Sequence, residues 1–289
     1  MKSLRRDYQT RQFMLRNEYE IFYYKDDHLK EVELHHHDFF EVYFFIAGKV
    51  TYVIEGRSYV LRAGDILLIS PDELHQPIIE ENENNYERIV LWINPQFFKV
   101  LGSDMTDLSA CFDITRETHS NLLRAVSDTS RKVKYDMFRL LNEADCSGFG
   151  NDVFYKTCIQ QILIELNRFL MSPSYEIDNE SIVTNDFIQS VIVYIYENLV
   201  SDLTLDGIAG HFYVSKFHLS REFKRHVGTT VYRYILQKRL IMAKQLIIQG
   251  IPITDVYFKS GFGDYSNFFR AFKMEYGITP KDFYNLTIR

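Results

Sequence analysis

Cysteine and uninterrupted apolar sequence are both scarce in this chain of 289 residues. Its three cysteines, Cys111, Cys146 and Cys158, are scattered without the spacing of a disulfide framework or a metal site. No apolar run approaches the ~18 residues that a membrane span needs, and the first residues lack the apolar region of a signal peptide. We therefore expect a protein of the reducing cytoplasm that has no membrane partner.

A net positive charge, which is common in proteins that bind nucleic acid, is also lacking. The chain has 33 Lys and Arg against 39 Asp and Glu, for a net charge of −6. The charge is divided unevenly, because residues 184–289 hold 13 basic and 9 acidic residues and the rest holds 20 and 30. An acidic part joined to a mildly basic part is compatible with a sensor joined to a DNA reader. The small basic excess predicts modest DNA affinity from a single copy.

The first third of the chain predicts a small antiparallel β-barrel. It contains seven strand-like segments rich in β-branched and aromatic residues, from EIFYYK to ERIVLWI and including EVELHHH at 31–37. Turn signals around Gly48, Gly56 and Gly64 separate neighbouring segments at the spacing of a small barrel. The acidic run at 80–85 is expected to be a solvated hairpin loop.

A helical segment, from about residue 115 to 170, follows the predicted barrel. Its longest helix carries an apolar stripe at helical spacing, formed by Ile159, Ile162, Leu163, Leu166, Phe169 and Leu170. Such a stripe fits either the core of the domain or a homodimer interface. We favour an interface for part of it.

The last hundred residues contain two copies of a helix-turn-helix pattern. In the first copy, Thr204 and Ser215 are expected N-caps of two short helices, and Gly228 ends the second helix. In the other copy, Asp264 caps the second helix and Gly277 ends it. The positions expected to be buried are Phe217, Leu219, Phe223 and Val227 in the first copy and Phe268, Phe269 and Phe272 in the other.

An apolar-periodic helix at 230–249 is predicted between the two copies, with Leu236, Leu240, Ala243 and Ile247 on one face. A helix of this size spans about 30 Å, close to the roughly 34 Å of one turn of DNA. The two copies could therefore place a helix in each of two successive major grooves.

The region from 185 to 287 resembles the AraC/XylS family of bacterial transcription regulators. The matching residues are Ala209, Ser215, Leu219, Arg221, Phe223, Lys224, Gly228, Tyr234, Arg239 and Ala243, and then Ser260, Gly261, Phe262, Ser266, Phe268, Arg270, Phe272, Lys273, Gly277, Thr279, Pro280 and Tyr284. Two residues depart from the family. Tyr257 replaces a small alanine, which predicts a wider helix crossing, and Asn267 replaces an aromatic residue.

The resemblance implies sequence-specific binding to double-stranded DNA by the second helix of each copy. The implied base-edge positions are Phe217, Ser220 and Arg221 in the first copy and Tyr265, Ser266, Asn267 and Arg270 in the other. Arginine opposite guanine is the commonest specific base contact. Lys224 and Lys273 are assigned to DNA phosphates, and Lys216, also a candidate DNA contact, is left for solvent or phosphate.

The predicted barrel contains His35, His37 and Glu41, which with a following glycine resemble the first cupin motif, His-x-His-x3-Glu-x6-Gly. Histidines and a carboxylate can bind iron, manganese or zinc. The second cupin motif fits less well, because its glycine is missing between Pro71 and His75. In AraC-like regulators this barrel usually acts as an effector pocket without metal, often for a sugar.

Barrel mouths are favourable places for small-molecule sites. We therefore expect an effector pocket without a metal or other cofactor, lined by His35, His37, Glu41, Tyr43, His75 and Trp92.

The expected fold class is α+β and multidomain, with an N-terminal antiparallel cupin-like barrel and a C-terminal all-α domain that holds two helix-turn-helix units. The expected boundaries are 1–110 for the barrel with its N-terminal arm, 111–171 for a helical dimerisation segment, 172–184 for the linker and 185–289 for the DNA-binding domain. A length of 289 residues fits about two domains.

The expected function is transcription regulation without enzymatic activity. A homodimer would bind promoter half-sites, and its barrel would sense a small molecule, for which the resemblance implies a carbohydrate. The alternative is a metal-dependent cupin enzyme with an appended nucleic-acid-binding module. A stoichiometric metal that survives dialysis, and activity that is abolished by His37→Ala, would favour the alternative.

Overall fold

The computed structural model describes residues 13–27, 32–80, 85–113, 120–124, 127–143, 148–173, 175, 182–183 and 185–287. The chain divides into two compact units, residues 1–183 and 184–289. The first contains two antiparallel sheets and the second is helical, which confirms the expected α+β architecture. No described helix combines the length and apolar character that crossing a bilayer requires.

The described residues of the first unit form nine strands in two sheets: β1 (Tyr19–Asp26), β2 (Phe40–Ala47), β3 (Val50–Ile54), β4 (Arg57–Val60), β5 (Ile66–Ile69), β6 (His75–Ile79), β7 (Tyr86–Ile93), β8 (Leu122–Leu123) and β9 (Ile182–Val183). The larger sheet has the order β1-β7-β2-β5-β8, and the smaller sheet has the order β6-β3-β4-β9.

Strand β2 is apolar on both sides because both faces of the larger sheet are covered. Successive side chains of a strand point to opposite faces. Val42 and Phe44 pack in a core with the helices of this unit, whereas Tyr43 and Phe45 pack in a second core with residues of the smaller sheet. This second core lies inside the barrel and contains the predicted effector pocket.

Helices cover the outer face of the larger sheet: α1 (Pro95–Leu101), a 3₁₀ helix (Leu108–Phe112), α2 (Ser127–Glu143) and α3 (Asn151–Leu170). On α3, Ile159, Ile162, Leu163 and Leu166 are fully buried within one core with the strands. The favoured interpretation of this stripe as a homodimer interface is wrong for these four residues. Periodicity identifies an apolar face but not the surface that covers it.

Three local predictions for the barrel also differ from the structure. The described part of EVELHHH, residues 32–37, forms no strand and makes only an isolated bridge between His35 and His75. Strand β6 was not predicted, and it contains Pro77, which an edge strand tolerates because proline has no N–H to donate. Strand β8 lies where a helix was expected. Most of the predicted acidic loop, residues 81–84, lies outside the described residues.

The second unit consists of seven helices over residues 185–287: α4 (Asp186–Glu197), α5 (Leu205–His211), α6 (Lys216–Val227), α7 (Val231–Ile248), α8 (Ile253–Lys259), α9 (Tyr265–Tyr276) and α10 (Pro280–Thr287). The side chains of Thr204, Ser215 and Asp264 accept hydrogen bonds from backbone N–H groups of the helices that they cap. Gly228 and Gly277 end α6 and α9 in the left-handed conformation.

The buried faces of α6 and α9 have the predicted spacing with one exception. Leu219, Phe223 and Val227 are buried on α6, and Phe268 and Phe272 are buried on α9, where Phe269 is partly buried. Phe217 is 78% exposed, so its predicted burial is wrong. It lies two residues before Leu219, about 200° away around the helix, and therefore on the opposite face.

Arg239 of α7 fixes the end of α4 beside the turn of the second helix-turn-helix unit. Its Nε donates to the carbonyl of Leu199 at 3.0 Å, and its Nη2 donates to the carbonyl of Ser201 at 2.7 Å. Gly261 has a φ of +85°, and a Cβ atom there would lie 2.4 Å from the Leu199 carbonyl oxygen and 2.9 Å from Arg239 Nε. Only glycine fits between these groups without a shift of the backbone.

We expect Gly261→Ala to lower the free energy of unfolding of the helical unit by about 2 kcal/mol or more, because strain and a backbone clash act together. Urea unfolding followed by the helical circular dichroism signal measures this change. Gly263→Ala is the matched control, since nothing lies within 4 Å of a Cβ atom there. If both variants lost the same free energy of unfolding, the conclusion that only glycine fits at position 261 would be contradicted.

Candidate functional site

The ten residues predicted to contact DNA are all exposed on α6 and α9. On α6 they are Lys216, Phe217, Ser220, Arg221 and Lys224, and on α9 they are Tyr265, Ser266, Asn267, Arg270 and Lys273. Each set lies outside the buried positions that attach its helix to the unit. The fold therefore presents two short helices of the same design, each with cations on its exposed surface.

Among the described residues, the contacts of Arg221 on α6 are surface contacts. Its Nε lies 3.3 Å from the carboxylate of Glu222, and its Nη2 lies 3.4 Å from His218 Nδ1. Its side chain is 73% exposed. Because the Arg221 side chain lies mostly in solvent, these contacts contribute little to stability. The guanidinium can therefore exchange them for a base or phosphate at small cost.

On α9 a chain of hydrogen bonds leads from the N-cap to Arg270. The carboxylate of Asp264 accepts from the backbone N–H of Asn267 at 2.8 Å and also from the Asn267 side-chain amide. Asn267 Oδ1 in turn accepts from Arg270 Nη2 at 2.6 Å. The departure from the family at Asn267 thus supplies an amide that orients Arg270. The other departure, Tyr257, packs its ring 6.0 Å from that of Tyr265.

The barrel encloses a cavity of about 30 Å³. Five of the six predicted effector residues line it, namely His35, His37, Glu41, Tyr43 and Trp92. The sixth, His75, is fully buried beside it, with its ring 4.3 Å from that of His35 and 4.8 Å from that of His37. A cavity needs about 10–15 Å³ to hold one water, whereas a pocket for a drug-sized ligand has about 300–1,000 Å³. The cavity therefore fits a water or an ion.

The histidines at this cavity share one hydrogen-bonding arrangement. The Nδ1 atoms of His35, His37 and His75 each lie 2.8 Å from a backbone carbonyl oxygen two residues away in the chain. A carbonyl oxygen only accepts, so Nδ1 carries the hydrogen and Nε2 presents a lone pair. Burial lowers the pKa of His35, and burial together with the neighbouring His35 and His37 holds the pKa of His75 well below its ordinary value.

His37, Glu41 and His75 are the group within the described residues that could hold a metal ion. All three are buried, and their candidate ligand atoms lie within 4.8 Å of one another. Glu41 Oε2 accepts from Trp92 Nε1 at 2.8 Å and lies 3.3 Å from His37 Nε2. The structure thus brings together residues from the first predicted motif and from the incomplete second one.

Sequence reasoning missed Arg88 and three of the tyrosines that line the cavity, Tyr24, Tyr52 and Tyr86. Arg88 is 2% exposed, forms an ion pair with Asp26 and lies 4.0 Å from the centre of the Tyr86 ring. The hydroxyl groups of Tyr43 and Tyr86 are 2.7 Å apart, and burial raises the pKa of both phenols. An arginine inside the apolar segment ERIVLWI was the available signal, because arginine is rarely buried without a partner.

Comparison with known proteins assigns both units. A family model described as an AraC-like ligand binding domain matches residues 19–141, and one described as a helix-turn-helix domain matches residues 208–285. The "HTH-type transcriptional activator RhaS" of Salmonella schwarzengrund is 25% identical over 250 residues, which are 86% of each chain. The protein of the same name from Salmonella typhimurium shows the same identity and coverage.

Solved structures of low overall similarity include unsaturated fatty acid bound wild-type ToxT from Vibrio cholerae. It is 16% identical, with a TM-score of 0.39, and the match covers 94% of this chain and 97% of that one. The C-terminal domain of AraT, a response regulator from Geobacillus stearothermophilus, is 25% identical, covers 35% of this chain and 86% of that one, and has a TM-score of 0.35. The ligand-binding and helix-turn-helix models match in order along this chain, which belongs to the AraC/XylS family of transcription regulators.

Proposed function

We propose that this regulator reads promoter DNA with α6 and α9 and responds to a small effector held in its barrel. The observation that supports the DNA-reading role most strongly is the repeated design of the two helices. Each is capped at its first turn, buries an aromatic residue on its inner face and exposes an arginine and a lysine on its surface. An N-terminal ligand-binding domain joined to such a pair fits a switch that couples effector to DNA.

We assign Arg221 and Arg270 to base edges and Lys216, Lys224 and Lys273 to phosphates. Arginine can bind guanine through two hydrogen bonds, whereas lysine acts as a point charge. The bond from Arg270 to Asn267 supports this assignment on α9, because it restricts the guanidinium before DNA arrives. The other proposed contacts share the exposed surfaces of these helices, namely Phe217, Ser220, Tyr265, Ser266 and Asn267.

Homodimerisation is part of the proposal because a mildly basic unit binds DNA weakly as one copy. Sedimentation over a range of concentrations measures the association. Since Ile159, Ile162, Leu163 and Leu166 of the α3 stripe are buried, the dimer would use other residues.

A carbohydrate effector also remains a proposal, and the cavity of about 30 Å³ would have to open to admit one. The alternative function, a metal-dependent cupin enzyme, is favoured by one observation, the convergence of His37, Glu41 and His75. Family membership favours regulation, and the DNA-reading role can be tested without knowing the effector.

The test of this role begins with selection of bound sequences from random duplex DNA by the full chain. On the selected site, we expect Arg270→Ala to reduce discrimination at one base position by about 1–3 kcal/mol. Lys273→Ala, the matched control on the same helix, should weaken binding to all sequences equally and reduce the salt slope by about 1. If Arg270→Ala leaves the sequence preference unchanged, then α9 does not read bases in the way proposed.

Asn267 and Arg270 should be energetically coupled, because Asn267 Oδ1 orients the guanidinium. A double-mutant cycle of Asn267→Ala and Arg270→Ala on the selected site should give a coupling energy of at least about 0.5 kcal/mol. The cycle that pairs Asn267→Ala with Lys273→Ala serves as the control and should be additive. Additivity in both cycles would contradict the orienting role of Asn267.

A further inference from the structure

Inside the barrel, the side chains of His37, Glu41 and His75 come close together. They bring together more hydrogen-bond acceptors than there are hydrogens available to be donated to them. The Nε2 atoms of His37 and His75 are buried and have no hydrogen-bond partner among the described residues. Their Nδ1 hydrogens are already donated to the carbonyls of Phe39 and Glu73. Each Nε2 therefore presents a desolvated lone pair, which is costly to bury.

Glu41 increases this cost. Its Oε2 lies 3.3 Å from His37 Nε2, so an acceptor faces another acceptor at close range. A proton between these two atoms would relieve that contact but would leave His75 Nε2 unsatisfied. A metal ion relieves all three positions at once, because each atom can donate a lone pair to it.

The surroundings of the three side chains also fit a metal site. Metal-ligating histidines almost always donate their other N–H to a carbonyl or carboxylate, which fixes the ring and its tautomer. His37 and His75 both do so, and Trp92 Nε1 orients Glu41. Ligands about 2.1 Å from an ion lie roughly 3–4 Å apart, so atoms within 4.8 Å of one another need to approach by about 1–2 Å at most.

The turn before His75 explains why an incomplete cupin-like motif still forms this arrangement. Asp72 takes a left-handed conformation with a φ of 66°, which supplies the bend that glycine usually provides. The N–H of Asp72 donates to the carbonyl of His37 at 2.9 Å. His35 and His75 exchange backbone hydrogen bonds of 3.1 and 2.9 Å. These bonds hold His75 beside the first motif despite the altered spacing of the second one.

We propose that the barrel binds one divalent transition-metal ion through His37, Glu41 and His75. This proposal rests on the proposed function and names the ligand class of the barrel. Two imidazoles and one carboxylate suit zinc, iron, cobalt or manganese better than magnesium, which prefers an all-oxygen shell. The adjoining cavity of about 30 Å³, which His37 and Glu41 line, is too small for a sugar in this conformation.

The single tryptophan of the chain provides a direct reporter, because Trp92 donates to the proposed ligand Glu41. Full-length protein treated with a chelator and dialysed is titrated with Zn²⁺ or Co²⁺ while tryptophan fluorescence is recorded. We expect saturation at one ion per chain, quenching of Trp92 by Co²⁺, and no competition from a hundredfold excess of Mg²⁺.

Glu41→Gln and His75→Asn should each weaken Zn²⁺ binding at least tenfold. His36→Gln is the matched control. Its imidazole is also buried and lies in the same segment, but its Nδ1 is 3.8 Å from Asp72 rather than beside Glu41. Circular dichroism confirms that each variant is folded, and Glu41→Gln keeps an oxygen that can accept from Trp92.

Absence of stoichiometric binding to the wild-type chain would overturn the proposal. Equal affinity in wild type, Glu41→Gln and His75→Asn would do the same, because the ion would then bind elsewhere. Selection of DNA by the chelator-treated, metal-free protein is measured separately. A negative result for metal binding therefore does not affect the test of DNA reading.

Discussion

Each unit contains one central element that is buried from two sides, and the rest of the unit depends on this burial. Strand β2 lies between the helices and the barrel interior, and helix α7 buries residues around most of its circumference. Polar groups on such elements must find partners within the unit. On α7, Gln237 donates to Glu275 at 2.8 Å and Lys244 lies 5.8 Å from the centre of the Tyr276 ring. On β2, Glu41 accepts from Trp92.

The same constraint places the functional groups. Because α7 is covered on several sides, the helices that pack around it expose their outer faces, where we propose that DNA binds. Arg239 fixes the end of α4 next to the Gly261 turn. Because β2 is covered on both faces, Glu41 is kept from water and has to share the barrel interior with His37 and His75. A cluster of ionisable side chains in a buried interior is stronger evidence for a bound ligand than the same side chains on an exposed surface.

Local rules were enough to predict the helical unit, because caps, glycine stops and apolar spacing act within a few residues. Asp264, Ser215 and Gly277 are examples. Features that depend on distant partners were predicted less well. The stripe of α3 is covered by a sheet formed far away in the chain, and β6 depends on an edge position that tolerates Pro77. The closeness of His75 to His37 depends on the Asp72 turn, which motif spacing alone does not reveal.

Genome-wide footprinting in the host tests the central claim, that this chain regulates transcription through α6 and α9. Wild type is compared with a chain that carries both Arg221→Ala and Arg270→Ala, two exposed positions whose replacement should leave the fold intact. The account predicts discrete peaks beside a few operons for the wild type and their loss in the double variant. An absence of discrete peaks, or identical peaks in both proteins, would contradict it.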